Sequence, residues 1–120
     1  MLANRLRHRI KFEAEELEQD SETGEMIRYW DTAVAHGFYL DSVPAECLTG
    51  AGKESGKDGS KYADSSLRVN VRWFAGLKQT WRIVWQDRFY EIIGFETDAT
   101  DRREYRIFCR DGLEFVGDEN

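Results

Sequence analysis

LRHRIKF, residues 6–12, alternates apolar and basic side chains without interruption. Successive side chains of a β-strand point to opposite faces, so this stretch predicts a strand with one apolar face and one basic face. The same period of two returns in LRVNVRW (residues 67–73), in WRIVW (81–85) and in YRIFC (105–109). Four such stretches in a short chain favour a β fold.

Short polar connections join the alternating stretches in the second half of the chain. Gln86-Asp87 leads from residues 81–85 into residues 88–95 and predicts a tight hairpin turn, although the glycine common in such turns is missing. Residues 96–102 form a polar turn before a last strand over residues 103–110. We therefore expect a mainly β domain, a small antiparallel β-barrel or sandwich of about five to seven strands.

The first half of the chain is less regular. The acidic residues 13–24 predict a loop, with room for a helical turn around residues 15–19. Residues 25–35, which include an aromatic pair, predict a second strand. Residues 38–48 are apolar and extended, and Pro44 predicts that this stretch lies at a sheet edge or a bend.

Residues 49–65 differ in composition from the rest of the chain, because glycines and lysines are interspersed there and no large aliphatic residue occurs. This composition predicts a long flexible loop, and loops of this length are often functional. We expect one β-barrel domain over residues 1–112, including this loop, and a loose acidic tail over residues 113–120. The loop residues predicted to meet a channel or a partner are Gly50, Gly52, Lys53, Glu54, Gly56, Lys57, Gly59 and Lys61.

Charge is unevenly distributed along the 120 residues. There are 17 Lys and Arg against 23 Asp and Glu, a formal net charge of −6, which disfavours DNA binding as the default function. No apolar run approaches the length of a membrane span, and residues 1–12 lack the apolar core of a signal peptide. Without an export signal we expect Cys47 and Cys109 to be reduced, buried thiols.

No familiar catalytic or ligand-binding pattern occurs in the sequence. GAGKESGKD (residues 50–58) fails as a phosphate-binding loop, because the glycine spacing is wrong and aspartate follows the second lysine. His8 and His36 are far apart, and His8 falls on an apolar strand face, which predicts a partly buried core residue rather than a metal ligand. We therefore expect no enzyme activity, no metal and no cofactor.

A basic stripe keeps nucleic-acid binding open as an alternative. If residues 5–12 paired with residues 67–74, their outward side chains would form one face. Trp73 and Trp81 would then be candidates for stacking on bases, as in small β-barrels that bind single-stranded nucleic acid. The competing interpretation is that both tryptophans belong to the core, since they lie on apolar strand faces. The basic face, which could equally be a subunit interface, comprises Arg5, Arg7, Arg9, Lys11, Arg68 and Arg72.

Several short stretches occur in an order that is typical of one family. They are LRHRIKF (6–12), Tyr29-Trp30, PAECL (44–48), Gly52-Lys53-Glu54, LRVNVRW (67–73), RFYEIIG (88–94) and DATDRREY (98–105). In this order they resemble the phage head–tail joining family, also called head–tail adaptor, closure or stopper proteins. The resemblance spans residues 3–110. It departs at extra residues around 35–43, at Gln86-Asp87 where Asp-Gly is usual, and at Trp73-Phe74.

The resemblance implies a structural protein of the virion neck, assembled in the host cytoplasm from a phage or prophage gene. Members are small β-barrels without catalytic residues that form rings between head and tail. The implied partners are further copies of the chain, the portal or an adaptor protein, tail proteins and packaged DNA, with no membrane. Residues 49–65 would be the loop that projects into the channel in some members. Whether the subunit closes the channel or only connects, and whether it is a ring or a monomer in solution, stays open.

Overall fold

The fold is described by a computed structural model for residues 5–49, 65–97, 100 and 103–115, with side chains described as far as residue 112. Within these ranges no helix is both long and apolar enough to cross a membrane. The strands are β1 (His8–Gln19), β2 (Met26–Thr32), β3 (Val34–Ala35), β4 (Phe38–Tyr39), β5 (Val43–Thr49), β6 (Leu67–Arg72), β7 (Arg82–Trp85), β8 (Arg88–Thr97) and β9 (Glu104–Phe115).

Seven strands form one antiparallel sheet in the order β2-β1-β5-β6-β9-β8-β7. An additional pairing joins β7, the last strand of this order, to β1, the second, so six strands close into a barrel. β1 pairs with three strands along its length. His8–Ile10 pair with β5, Lys11–Glu13 pair with β7, and Glu13–Gln19 pair with β2. The prediction of a small antiparallel β-barrel is confirmed, and β2 is left outside the ring.

The core consists of the inward residues of the alternating strands. Ile10, Phe12, Val69, Ile83 and Ile107 are buried inside the barrel, as their period of two predicts. An aromatic cluster closes one end, where Phe12 meets Phe74 edge-on at 5.7 Å between ring centroids and Trp81 at 5.9 Å. Such contacts add about 0.5–1.5 kcal/mol each to the burial of aromatic area.

Both cysteines are free thiols inside the barrel. Burial raises the pKa of Cys47 to about 12, with a smaller effect from the neighbouring Glu46 carboxylate. Burial also raises the pKa of Cys109. Thiols with raised pKa values are poor nucleophiles, so both act as small apolar residues, as predicted.

His8 is a partly buried residue of the barrel, as the sequence predicts. Its Nδ1 accepts a hydrogen bond from the Cys47 backbone N–H at 3.2 Å, and its ring meets Trp85 edge-on at 5.4 Å. The imidazole therefore links β1 to β5 and β7.

The Gln86-Asp87 hairpin turn is confirmed between β7 and β8. Both residues have positive φ, 53° for Gln86 and 61° for Asp87. This is the backbone of a type I′ turn, which the sequence builds without its preferred Asn-Gly pair.

The prediction of an acidic loop over residues 13–24 is wrong. β1 continues to Gln19, and only residues 20–25 turn the chain. Asp20 Oδ1 accepts the N–H of Glu22 at 2.7 Å, and Gly24 adopts a φ of +75°, so the reversal is tight.

The acidic stretch can form a strand because its carboxylates do not oppose one another. Across the ladder, Glu15 faces Trp30, Glu16 faces Tyr29 and Glu18 faces Ile27. Cross-strand repulsion is thereby avoided, and each glutamate lies beside an apolar neighbour.

Of the two alternatives predicted for Pro44, the sheet edge is wrong, because β5 lies between β1 and β6, and the bend stays a prediction. Pro44 is the second residue of β5, and the ladder between β5 and β6 begins only at the next residue, Ala45. A proline is tolerated at this place in the strand. At the other end of the chain, β9 extends to Phe115, and residues 116–120 of the predicted tail lie outside the described residues.

Candidate interaction surfaces

Residues 14–32, here called the arm, form a two-stranded hairpin that continues β1 and β2 beyond the barrel. The arm carries seven carboxylates and one guanidinium, a net −6, which equals the formal charge of the complete chain. The rest of the chain is thus formally neutral. Four large apolar side chains on the arm are exposed: Leu17, Met26, Ile27 and Tyr29.

The arm is fixed to the barrel by Arg82 of β7. The Arg82 Nε lies 2.7 Å from Oε1 of Glu13, and both residues are buried. The guanidinium is stacked between two rings, 4.2 Å from the centroid of Trp30 and 3.6 Å from that of Phe89. Lys11 Nζ approaches the other carboxylate oxygen of Glu13 at 3.0 Å. This cluster holds the base of β2 against the outer wall of β7 and β8.

Beyond the Arg82 cluster, a groove of about 1020 Å³ opens between the arm and the barrel wall. Glu15 and Trp30 line the arm side, and the Glu91–Arg110 ion pair, 2.7 Å apart, lies on the wall. Within the described ranges, no group of three or more His, Cys, Asp or Glu side chains could hold a metal ion.

A second projection, here called the knob, consists of β3, β4 and their turn (residues 34–39). Positive φ values of 52° at His36 and 80° at Gly37 close this turn. The knob is rooted on Phe12, whose carbonyl accepts the Ala33 N–H at 2.8 Å. Its side chains Phe38 and Tyr39 are 74% and 70% exposed. The knob accounts for most of the extra residues at which the sequence departs from the family pattern.

The predicted basic face is divided. It required β1 to pair with β6, and the two strands do not pair. β5 lies between them. Arg5 bridges Glu46 and Glu104, and Lys11 is held by Glu13. Of the remaining predicted residues, Arg68 is half-buried, whereas Arg7, Arg9 and Arg72 are exposed.

The two tryptophans of the nucleic-acid alternative are engaged in packing. Trp81 is buried and stacks on Phe74 at 6.4 Å between centroids. Trp73 is partly buried and stacks on Tyr105 at 6.2 Å. The interpretation of both as core residues is confirmed.

The loop residues Gly50, Gly52, Lys53, Glu54, Gly56, Lys57, Gly59 and Lys61 lie outside the described residues. The two strands that flank this segment are described. Thr49 faces Leu67 across the β5–β6 ladder, and the Ser66 N–H donates to the Cys109 carbonyl at 2.8 Å. The segment therefore connects two adjacent strands of the barrel.

Comparison with known proteins assigns the family. The sequence matches the phage head completion protein family over residues 1–112. The chain belongs to the phage head completion family. Its fold is similar to the solution structure of protein SF1141 from Shigella flexneri 2a, with a TM-score of 0.71 and 28% sequence identity. That likeness covers 95% of this chain and 99% of SF1141. A search of curated proteins gave no match.

Membership in the phage head completion family agrees with the resemblance found in the sequence. It supports a structural role in phage head assembly and contact with other head or tail proteins. The protein is accordingly a virion component. The sequence predicted only half of the arm: the strand expected over residues 25–35 is confirmed by β2, whereas residues 13–24 were expected to form a loop. The knob appeared in the sequence only as extra residues.

Proposed function

We propose that the chain is a structural neck protein that joins head and tail. It would act as a ring-forming closure, or stopper, or as a connector subunit between portal-side proteins and the tail. The observation that carries this proposal is the location of exposed apolar area. In the described part of the chain, every large apolar side chain that is exposed lies on the arm or the knob.

This distribution fits a subunit that is completed by neighbours. A closed barrel has few strand edges of its own, and its apolar residues point inward. Exposed apolar patches on such a stable domain mark surfaces that bind other proteins.

Residues 49–65 are proposed to reach the channel of the ring and to help retain packaged DNA. Because the flanking strands β5 and β6 pair in register, the barrel can hold both ends of this segment in fixed positions. The glycines within it give the backbone the freedom to change conformation between closed and open states.

The proposal is tested by complementing a phage that lacks this gene. Deletion of residues 53–62 should leave a folded barrel, measured by circular dichroism and thermal unfolding, because every strand of the described residues keeps its full length. It should lower the yield of infectious particles and leave filled heads and free tails unjoined. Lys78→Ala, an exposed change on the barrel, is the control and should retain full yield. Normal yields from the deletion would contradict the role of the loop.

The knob is tested in the same assay. Phe38→Ser with Tyr39→Ser should leave stability within about 0.5 kcal/mol of the wild type, because both side chains are largely exposed. Joining of heads to tails should fall. Unchanged joining would show that the knob is not a contact surface.

A further inference from the structure

We infer that the outer face of the arm binds the barrel wall of a second copy of the chain, between Arg9 and Arg72. The inference rests on the proposed function, because a neck ring supplies the neighbouring copy. It adds to that function the two surfaces that meet and the side chains that pair.

The outer face of the arm is the side turned away from its own barrel. Residues paired across the ladder share a face, so Trp30, which stacks on Arg82, places Glu15 on the inner side. The alternate residues form the outer face. It carries three exposed carboxylates and two exposed apolar side chains, namely Glu16, Glu18, Asp31, Ile27 and Tyr29.

Ile27 and Tyr29 are 42% and 41% exposed on this face. A two-stranded hairpin with apolar side chains on its open side is only marginally stable alone. A partner that covers this face would bury both side chains and stabilise the arm.

The complementary surface lies on the outer wall of the barrel. Arg9 of β1 pairs with Pro44 of β5, and Arg72 lies one step beyond the Ala45–Val71 pair, on the far side of Pro44. The two guanidinium groups thus stand on either side of a proline, on strands about 10 Å apart. Arg9 and Arg72 are exposed, and the Arg9 Nη1 donates to the Ser42 carbonyl at 3.4 Å.

Charge complementarity selects the occupant. An acidic arm repels nucleic acid and anionic membranes, so its partner is a protein surface with positive charge beside a small apolar area. The wall around Pro44 has these properties, because the carboxylates beside it, Glu46 and Glu104, are both paired with Arg5. Each neighbouring copy presents this wall. The arm and the wall are different surfaces of one chain, so the contact is heterologous and repeats from subunit to subunit until a ring closes.

Disulfide formation tests the contact in assembled particles. Glu18→Cys and Arg9→Cys are introduced together, and the native thiols do not interfere because both are buried. The two positions lie in the single strand β1, about 30 Å apart at 3.3 Å per residue, whereas a disulfide needs Cα atoms within about 7 Å. Any disulfide between them must therefore join two copies.

We expect a ladder of disulfide-linked oligomers from oxidised particles that carry both cysteines. The matched control is Gln19→Cys with Arg9→Cys, because Gln19 is the next residue but points to the inner face of the arm. This control should give no ladder. Absence of the ladder from the Glu18 pair, or an equal ladder from the control, overturns the inference.

Charge reversal gives an independent test by complementation. Glu16→Lys with Glu18→Lys, or Arg9→Glu with Arg72→Glu, should each reduce infectious yield by about tenfold or more, since both make the contact repulsive. The chain that carries all four changes restores opposite charges and should recover most of that yield. If the fourfold variant is no better than either twofold variant, the pairing is wrong.

The inference and the proposed function fail in different ways. A neck ring that contains the subunit but gives no ladder from the Glu18 and Arg9 cysteines overturns only the inference. A particle neck that lacks the subunit overturns the proposed function itself.

Discussion

Removal of Arg82 tests how the arm is held to the barrel. Arg82→Ala deletes the partner of a buried carboxylate at 2.7 Å and a cation stacked between Trp30 and Phe89. Loss of one member of a buried ion pair costs about 3–5 kcal/mol, because the other charge stays buried. Lys11, 3.0 Å from Glu13, partly compensates, so we expect a loss of about 3 kcal/mol in the free energy of unfolding.

Urea unfolding followed by tryptophan fluorescence measures this loss, and hydrogen exchange locates it. In Arg82→Ala, hydrogen exchange should accelerate more at the amides of the arm than at those of β6 and β9, because the Arg82 cluster holds the base of the arm. Lys11→Ala is the control, since its partly exposed ion pair is worth at most about 1 kcal/mol.

A double variant separates charge from packing. Glu13→Leu with Arg82→Met removes both charges and keeps most of the volume, so it should recover at least about 2 kcal/mol relative to Arg82→Ala. If Arg82→Ala lies within about 1 kcal/mol of the wild type, or if arm exchange is unchanged, the Arg82 cluster does not anchor the arm.

Three further predictions concern the barrel. Gln86→Asn with Asp87→Gly should raise the free energy of unfolding, measured by urea denaturation, by about 1 kcal/mol. Both positions have positive φ, which Asn and Gly adopt more readily than Gln and Asp. Phe12→Ala, at a side chain with no exposed area, should lower it by about 3–5 kcal/mol. Stability should fall as the pH rises above 9, because the unfolded chain then loses thiol protons that Cys47 and Cys109 keep when folded. Cys47→Ala with Cys109→Ala should flatten that decline in unfolding measured from pH 8 to 11.

The barrel could be predicted from the sequence because each of its strands buries one face. The period of two in residues 67–73 and 105–109 corresponds to Val69, Val71, Ile107 and Cys109 inside the barrel. The alternation could not show which strands are neighbours. Pairing depends on contacts far apart in the chain, and the placement of β5 between β1 and β6 divided the predicted basic face.

The β2 half of the arm agrees with the strand predicted over residues 25–35, but the β1 half could not be predicted from alternation, because neither face of the arm is uniformly apolar. The acidic residues of β1 were interpreted as a solvated loop, namely Glu15, Glu16 and Glu18. Their cross-strand partners lie on β2, which the local sequence does not reveal. One local signal was present. Asp20 followed by Gly24 is a turn signature, with an aspartate oxygen for the open N–H groups and a glycine for positive φ.

The buried ion pair was equally invisible in the sequence. Arg82 lies on the outer side of β7, where alternation predicts a solvated residue, and only the folded arm covers it. The knob could not be predicted for a similar reason. Predictions from alternation assume that apolar side chains point to the core, whereas the aromatic residues of the knob are exposed.

Electron cryomicroscopy of the particle neck tests the central claim most directly. The account predicts a ring of barrels between the portal-side proteins and the tail, with each arm lying on the Arg9–Arg72 wall of the next subunit. Residues 49–65 should point toward the channel. A neck that is complete without this subunit, or a subunit located elsewhere in the particle, would contradict the account.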